Sequence, residues 1–159
     1  MEDSNLFLVI KAALVGLGGA FGAAFGWLGW LILAWVICMV MDYVTGSGAA
    51  MKAGNWSSAA ARAGIWHKAG MIFVVIVAAL ADAVLGLVVD NVPVLAIPYT
   101  VLILPVVLVW YILTELGSIL ENATAMGAPV PAFLVKLLAS AKDKVAETME
   151  NSTEEKNNH

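Results

Sequence analysis

This sequence has little charge. Only 13% of its 159 residues are Asp, Glu, Lys or Arg, where an average soluble domain carries about 25%. No charged residue occurs from Ala12 to Met41, and from Met71 to Thr114 the only two are Asp82 and Asp90. Tracts of that kind exclude an ordinary water-soluble fold. The one cysteine, Cys38, lies inside an apolar run, so an internal disulfide framework is excluded. Neither Cys38 nor His67 has companions at metal-ligand spacing. There is no Walker A sequence, no dinucleotide fingerprint and no G-x-S-x-G nucleophile turn. No catalytic residue, cofactor or metal is therefore expected. No strongly basic patch points to nucleic acid as a partner.

What the chain has instead is apolar length: 62% of its residues are hydrophobic. A hydrocarbon core about 30 Å thick takes roughly 20 apolar residues in a helix, so each charge-poor tract holds about two spans. The expected fold is all-α, an integral membrane protein with spans near residues 6–25, 28–44, 69–89 and 94–116. Residues 1–122 form its membrane domain. The first turn, around Gly26, Trp27 and Trp30, joins glycine, which permits tight reversal, to tryptophan, which favours the membrane interface. If residues 6–25 are instead re-entrant or lie on the surface, three spans remain. The acidic start, Met1-Glu2-Asp3, differs from the basic start of a secretory signal, so the first apolar stretch is expected to be retained.

The few cations set orientation. With four spans, Lys11, Lys52, Arg62, Lys68, Lys136, Lys142, Lys144 and Lys156 all fall on one side, and the positive-inside rule makes both termini cytoplasmic. In the loop at residues 45–68, the Asn55–Ser58 stretch offers N-cap residues for a short helix at headgroup level over residues 59–68. Asp42 and Glu115 lie at the cytoplasmic ends of the second and fourth spans, where Lys52, Arg62 and Lys68 are available as ion-pair partners. Beyond the break at Gly127-Ala128-Pro129-Val130-Pro131, Leu134, Leu137, Leu138, Ala141 and Val145 recur at helical spacing. They predict a cytoplasmic amphipathic helix within residues 123–150, followed by a disordered tail at residues 151–159.

Two features stand out inside the spans. Gly18, Gly22 and Gly26 make two overlapping G-x-x-x-G steps, beside a second row of Gly16, Ala20 and Ala24. Small residues let helix backbones approach closely in lipid, which suits either self-association or packing within one protomer. Asp82 lies about 20 Å into the third span at 1.5 Å per residue, flanked at i−4 and i+4 by Ala78 and Gly86. A carboxyl group there is protonated, meets a polar group or faces water. It is either a pore or ion-pathway residue or an acid hydrated from the outer interface.

One series of residues carries a resemblance. Asp42-Tyr43-Val44-Thr45-Gly46 closes the second span, the basic loop and the Asp82-bearing span follow, and the fourth span ends in Glu115-Leu116-Gly117-Ser118-Ile119-Leu120-Glu121-Asn122. Across residues 31–138 this resembles the bacteriophage holin family shared by phage lysis and clostridial toxin-secretion proteins. The family often has another basic residue where His67 stands. The resemblance implies a protein that oligomerises with copies of itself in the bacterial cytoplasmic membrane and opens lesions. Through them an endolysin, or a toxin-like protein, would cross. Asp82 and the glycine rows would supply the switchable face. A small ion or proton channel or transporter built around Asp82, and an antiholin-type regulator, are the competing expectations.

Overall fold

The computed structural model describes residues 2–92 and 103–157. They form four helices: α1 (Glu2–Lys52), α2 (Ser58–Asn91), α3 (Ile103–Ala125) and α4 (Ala132–Asn157). No strand occurs among the described residues. Three stretches among them are long and apolar enough to cross a membrane: Gly26–Lys52, Ser58–Asn91 and Ile103–Ala125.

The helix ends follow from local chemistry. Inside α1, Gly26 takes φ 57°, ψ −148°, a region that only glycine enters cheaply, and the chain changes direction there. A Cβ placed on Gly22 would lie 3.5 Å from Trp30 Nε1. In a straight helix those residues would stand about 12 Å apart along the axis, so the bend is what lets the indole cover Gly22. α1 and α3 both close in the same way. Gly54 N–H donates to Met51 O and Asn55 N–H to Ala50 O; Gly127 N–H donates to Thr124 O and Ala128 N–H to Ala123 O. These are the paired reverse bonds that satisfy the last free carbonyls of a helix, and they require the positive φ of Gly54 (71°) and Gly127 (91°). α2 starts where the Ser57 side chain accepts the Ala60 N–H at 3.1 Å.

Several boundaries differ from those read off the sequence. The segment expected as a loop at 45–68 is helical except for residues 53–57. The short surface helix and the third span are one 34-residue helix, α2, because nothing between residues 59 and 91 breaks it: Gly64 and Gly70 keep helical geometry, and the charge of Lys68 is neutralised in place. Residues 94–102 of the fourth span lie outside the described residues, and α3 continues past residue 116 to Ala125. Residues 151–157, expected as a disordered tail, continue α4.

α3 touches each of the other helices. The core is Trp35 and Met39 from α1, Met71, Val75 and Ala78 from α2, and Leu104 and Leu108 from α3. Leu108 is fully enclosed, and Trp35 stacks on Tyr111 with ring centroids 6.1 Å apart. The Trp35 indole N–H is buried without a hydrogen-bond partner among the described residues. Around this narrow core the outer faces are apolar: Val40, Val44, Ile72, Phe73, Val77, Leu80 and Leu87 are exposed. An apolar exterior around a packed interior suits lipid as the surrounding solvent. α4 turns back and lies against α3, where Lys142 Nζ sits 4.8 Å from the centre of the Trp110 ring.

Candidate functional site

Three helices bring charge to one point. Lys68, on α2, places its ammonium 2.9 Å from Asp42 Oδ2 on α1 and 2.6 Å from Glu115 Oε2 on α3. Glu115 is 4% exposed. One half-buried cation thus joins two carboxylates from two other helices, and the buried Glu115, with little water around it, depends most on that partner. Of the three cations that the sequence made available to Asp42 and Glu115, Lys68 is the one that reaches both. Lys52 instead donates to the Met126 carbonyl oxygen at the end of α3.

A second layer sits one to two helical turns further along. The Asn122 amide donates to Asp42 Oδ1 at 3.1 Å and to Thr45 Oγ1 at 3.3 Å. The Thr45 hydroxyl donates to its own helix at Met41 O, 2.8 Å away, which leaves an oxygen lone pair for Asn122. A Cβ on Gly46 would come into contact with the Asn122 amide, 3.4 Å from Nδ2. A Cβ on Gly48 would crowd the flexible Met126 side chain, with its sulfur 3.1 Å away. Beside these contacts opens a cleft of about 340 Å³, lined by Tyr43, Trp56, His67, Ser118 and Glu121 among others. The two sequence motifs, one on α1 and one on α3, therefore meet face to face, with α2 closing the third side.

Asp82 stands apart from this cluster. Fourteen residues separate it from Lys68 on α2, about 21 Å of helix, and Asp90 lies about 12 Å further on. Lys68 and Asp90 thus bracket a length close to the hydrocarbon thickness of about 30 Å, with Asp82 inside it. Its side chain is buried at 5% exposure and meets a polar group. Oδ1 accepts the Ile103 N–H at 3.0 Å and Oδ2 the Leu104 N–H at 2.7 Å. Pro105, next in the chain, has no N–H to satisfy. The carboxylate caps the head of α3, where the peptide dipoles also favour negative charge. Nothing in the linear chain signals this bond, because its partners are backbone groups 21 and 22 residues away.

The remaining sequence candidates divide. Ala78 is buried in the core. A Cβ added at Gly86 would meet nothing within 4 Å, so among the described residues no other helix of the protomer approaches it closely. Gly22 lies under Trp30, Gly26 makes the bend, and Gly18 belongs to the arm of α1 before that bend. Among the described residues no group of three or more His, Cys, Asp or Glu is placed to hold a metal ion. The chemistry of the cluster is that of a partly buried ionic tie.

Residues 19–143 match the family model described as the bacteriophage holin family. Similar curated proteins are uncharacterized. One from Listeria innocua is 31% identical over 82% of this chain and 85% of its own length. One from Clostridium perfringens is 30% identical over 88% and 96%, and one from Halalkalibacterium halodurans is 36% identical over 71% and 80%. No solved structure matches the chain.

Proposed function

The chain belongs to the bacteriophage holin family, and from that premise we propose that it assembles with copies of itself in the bacterial cytoplasmic membrane and opens lesions. The cargo is a folded protein on the cytoplasmic side, an endolysin or a toxin-like protein. The observation that carries this reading is the packed interior of a multi-pass membrane protein. Leu108 fills the centre and Trp35 stacks on Tyr111, so one protomer has no room for a protein-sized path. Such a path runs between copies. The Lys68–Asp42–Glu115 tie and the Asp82 cap keep each protomer's three apolar helices in register, so that the protomer moves in the membrane as one unit. Four spans, residues 6–25 being the first, assign the N-terminus and the end of the last span to the cytoplasm. No step in this reading is catalytic.

An ion or proton channel centred on Asp82 draws no support from a carboxylate already engaged by two backbone amides. Reconstitution tests the proposal directly. Vesicles loaded with a small dye and a labelled, folded cell-wall hydrolase should lose both when the protein accumulates. Loss of the dye alone, at every protein-to-lipid ratio, overturns the proposal in favour of a channel. Retention of both, together with delayed lysis when the chain is co-expressed with a lytic holin, turns it into a regulator.

A further inference from the structure

α4 lies lengthwise on a membrane span. Lys142 covers Trp110, Val145 shares a groove with Val74, Val106 and Tyr111, and Lys144 and Thr148 flank Val106. On α3, Val106 is nine residues from Glu115, about 14 Å towards the Asp82 layer. On α2, Val77 is nine residues from Lys68, and Lys68 touches Glu115. The C-terminal half of α4 therefore runs at the depth of lipid-facing Val77, well inside the apolar zone.

The faces of α4 are opposed. Leu134, Leu138, Ala141 and Val145 are half-buried, while Lys136, Asp143, Glu147 and Glu150 are exposed. At about 100° per residue the first group spans an arc of about 60° and the second an equal arc on the far side of the helix. Lys136 lies near the level of Glu115, but Asp143, Glu147 and Glu150 lie deeper, and charges at such depth do not face hydrocarbon; in membrane proteins they face water or one another. Local chemistry makes the reversal that brings α4 there. Gly127 closes α3, Pro129 and Pro131 prevent the helix from continuing, and Lys52 ties the Met126 carbonyl to α1.

Resting on the lesion-forming reading above, we infer that the Lys136–Asp143–Glu147–Glu150 face of α4 is the water-facing wall of the assembled lesion. Each copy contributes an α3–α4 hairpin, with α4 towards the lumen and α3 behind it, covered by α1 and α2. A helix lying free on the cytoplasmic surface would have no reason to cover Trp110 and Val106.

The test uses the full chain in vesicles, with Cys38→Ala as background. A Val106→Cys, Thr148→Cys pair reports the hairpin through a short bis-maleimide. Spin labels at Glu147→Cys and Val77→Cys report solvent through collision with a water-soluble nickel chelate and with oxygen. The expected result is intramolecular cross-linking, with nickel the stronger collider at position 147 and oxygen at position 77. An absent cross-link, or oxygen dominant at position 147, overturns the assignment of α4. Cargo release is read from the same vesicles. Release without a cross-link sinks the α4 wall and leaves the lesion intact. A cross-link and a wet position 147 without release of protein cargo uphold the wall and sink the protein-sized lesion. All labelled positions are exposed or on the rim of a groove, so these variants keep the core.

Discussion

The carboxylate of Asp82 accepts the backbone N–H of Leu104 at 2.7 Å. An acid that lies within a membrane span is thereby turned into the cap of the next span. In hydrocarbon no water is present to take those amides, so the carboxylate and the head of α3 depend on one another.

Removing that acceptor should loosen α3. Asp82→Leu orphans the Ile103 and Leu104 donors, at about 1–3 kcal/mol for each buried unsatisfied group. Asp82→Asn keeps one acceptor oxygen and should fall between the leucine variant and the native chain. Thermal unfolding in detergent measures both; an Asp82→Leu protein that melts with the native one would show that the cap contributes nothing.

The ionic tie should respond asymmetrically. Lys68→Met leaves Asp42 and Glu115 facing each other with no cation between them, a loss of about 3–5 kcal/mol of the kind seen when one partner of a buried pair is removed. Adding Glu115→Gln to Lys68→Met should recover part of that loss. A double-mutant cycle in which the two changes simply add would show that Lys68 and Glu115 are not coupled.

Asn122 and Gly46 should behave as one unit. Asn122→Leu removes two hydrogen bonds between α3 and α1, worth about 0.5–1.5 kcal/mol each. Gly46→Val displaces the same amide by steric contact. The pair is expected to cost less than the sum of the single changes, and equilibrium unfolding of the four proteins checks it.

The glycines should separate by backbone geometry. Gly26→Ala forces a Cβ into a strained region at about 1–3 kcal/mol, and Gly127→Ala adds a clash 2.9 Å from Lys52 Nζ to a φ of 91°. Gly86→Ala, helical and with open space around it, should be neutral or stabilising by up to about 1 kcal/mol. If Gly86→Leu changes oligomer size on a gel while monomer unfolding stays constant, that open face is a contact between protomers.

Part of this architecture was legible in the linear chain. The charge-free tracts announce membrane helices because lipid tolerates no interruption, and Gly127 with Pro129 and Pro131 announces the break before α4 by backbone chemistry alone. Other parts were not. The stretch at residues 59–68 read as a separate short helix at headgroup level, yet α2 runs straight through it, since a helix is broken by backbone chemistry and not by a neutralised charge. α4 read as an amphipathic cytoplasmic helix; amphipathic spacing tells which face is apolar and says nothing of the α3 surface that covers it.

Amino-acid order by itself determined the solvent: stretches this long and this apolar have only a bilayer to dissolve in. It also set aside the acids and the lysine that had to find partners. Which partners they found was decided in three dimensions. Lys68 meets residues 26 and 47 positions away, and Asp82 meets backbone amides that every residue except proline carries, so neither bond leaves a trace in composition or spacing. Only the close packing of α1, α2 and α3 brings those groups within reach and removes the water that would otherwise have served them.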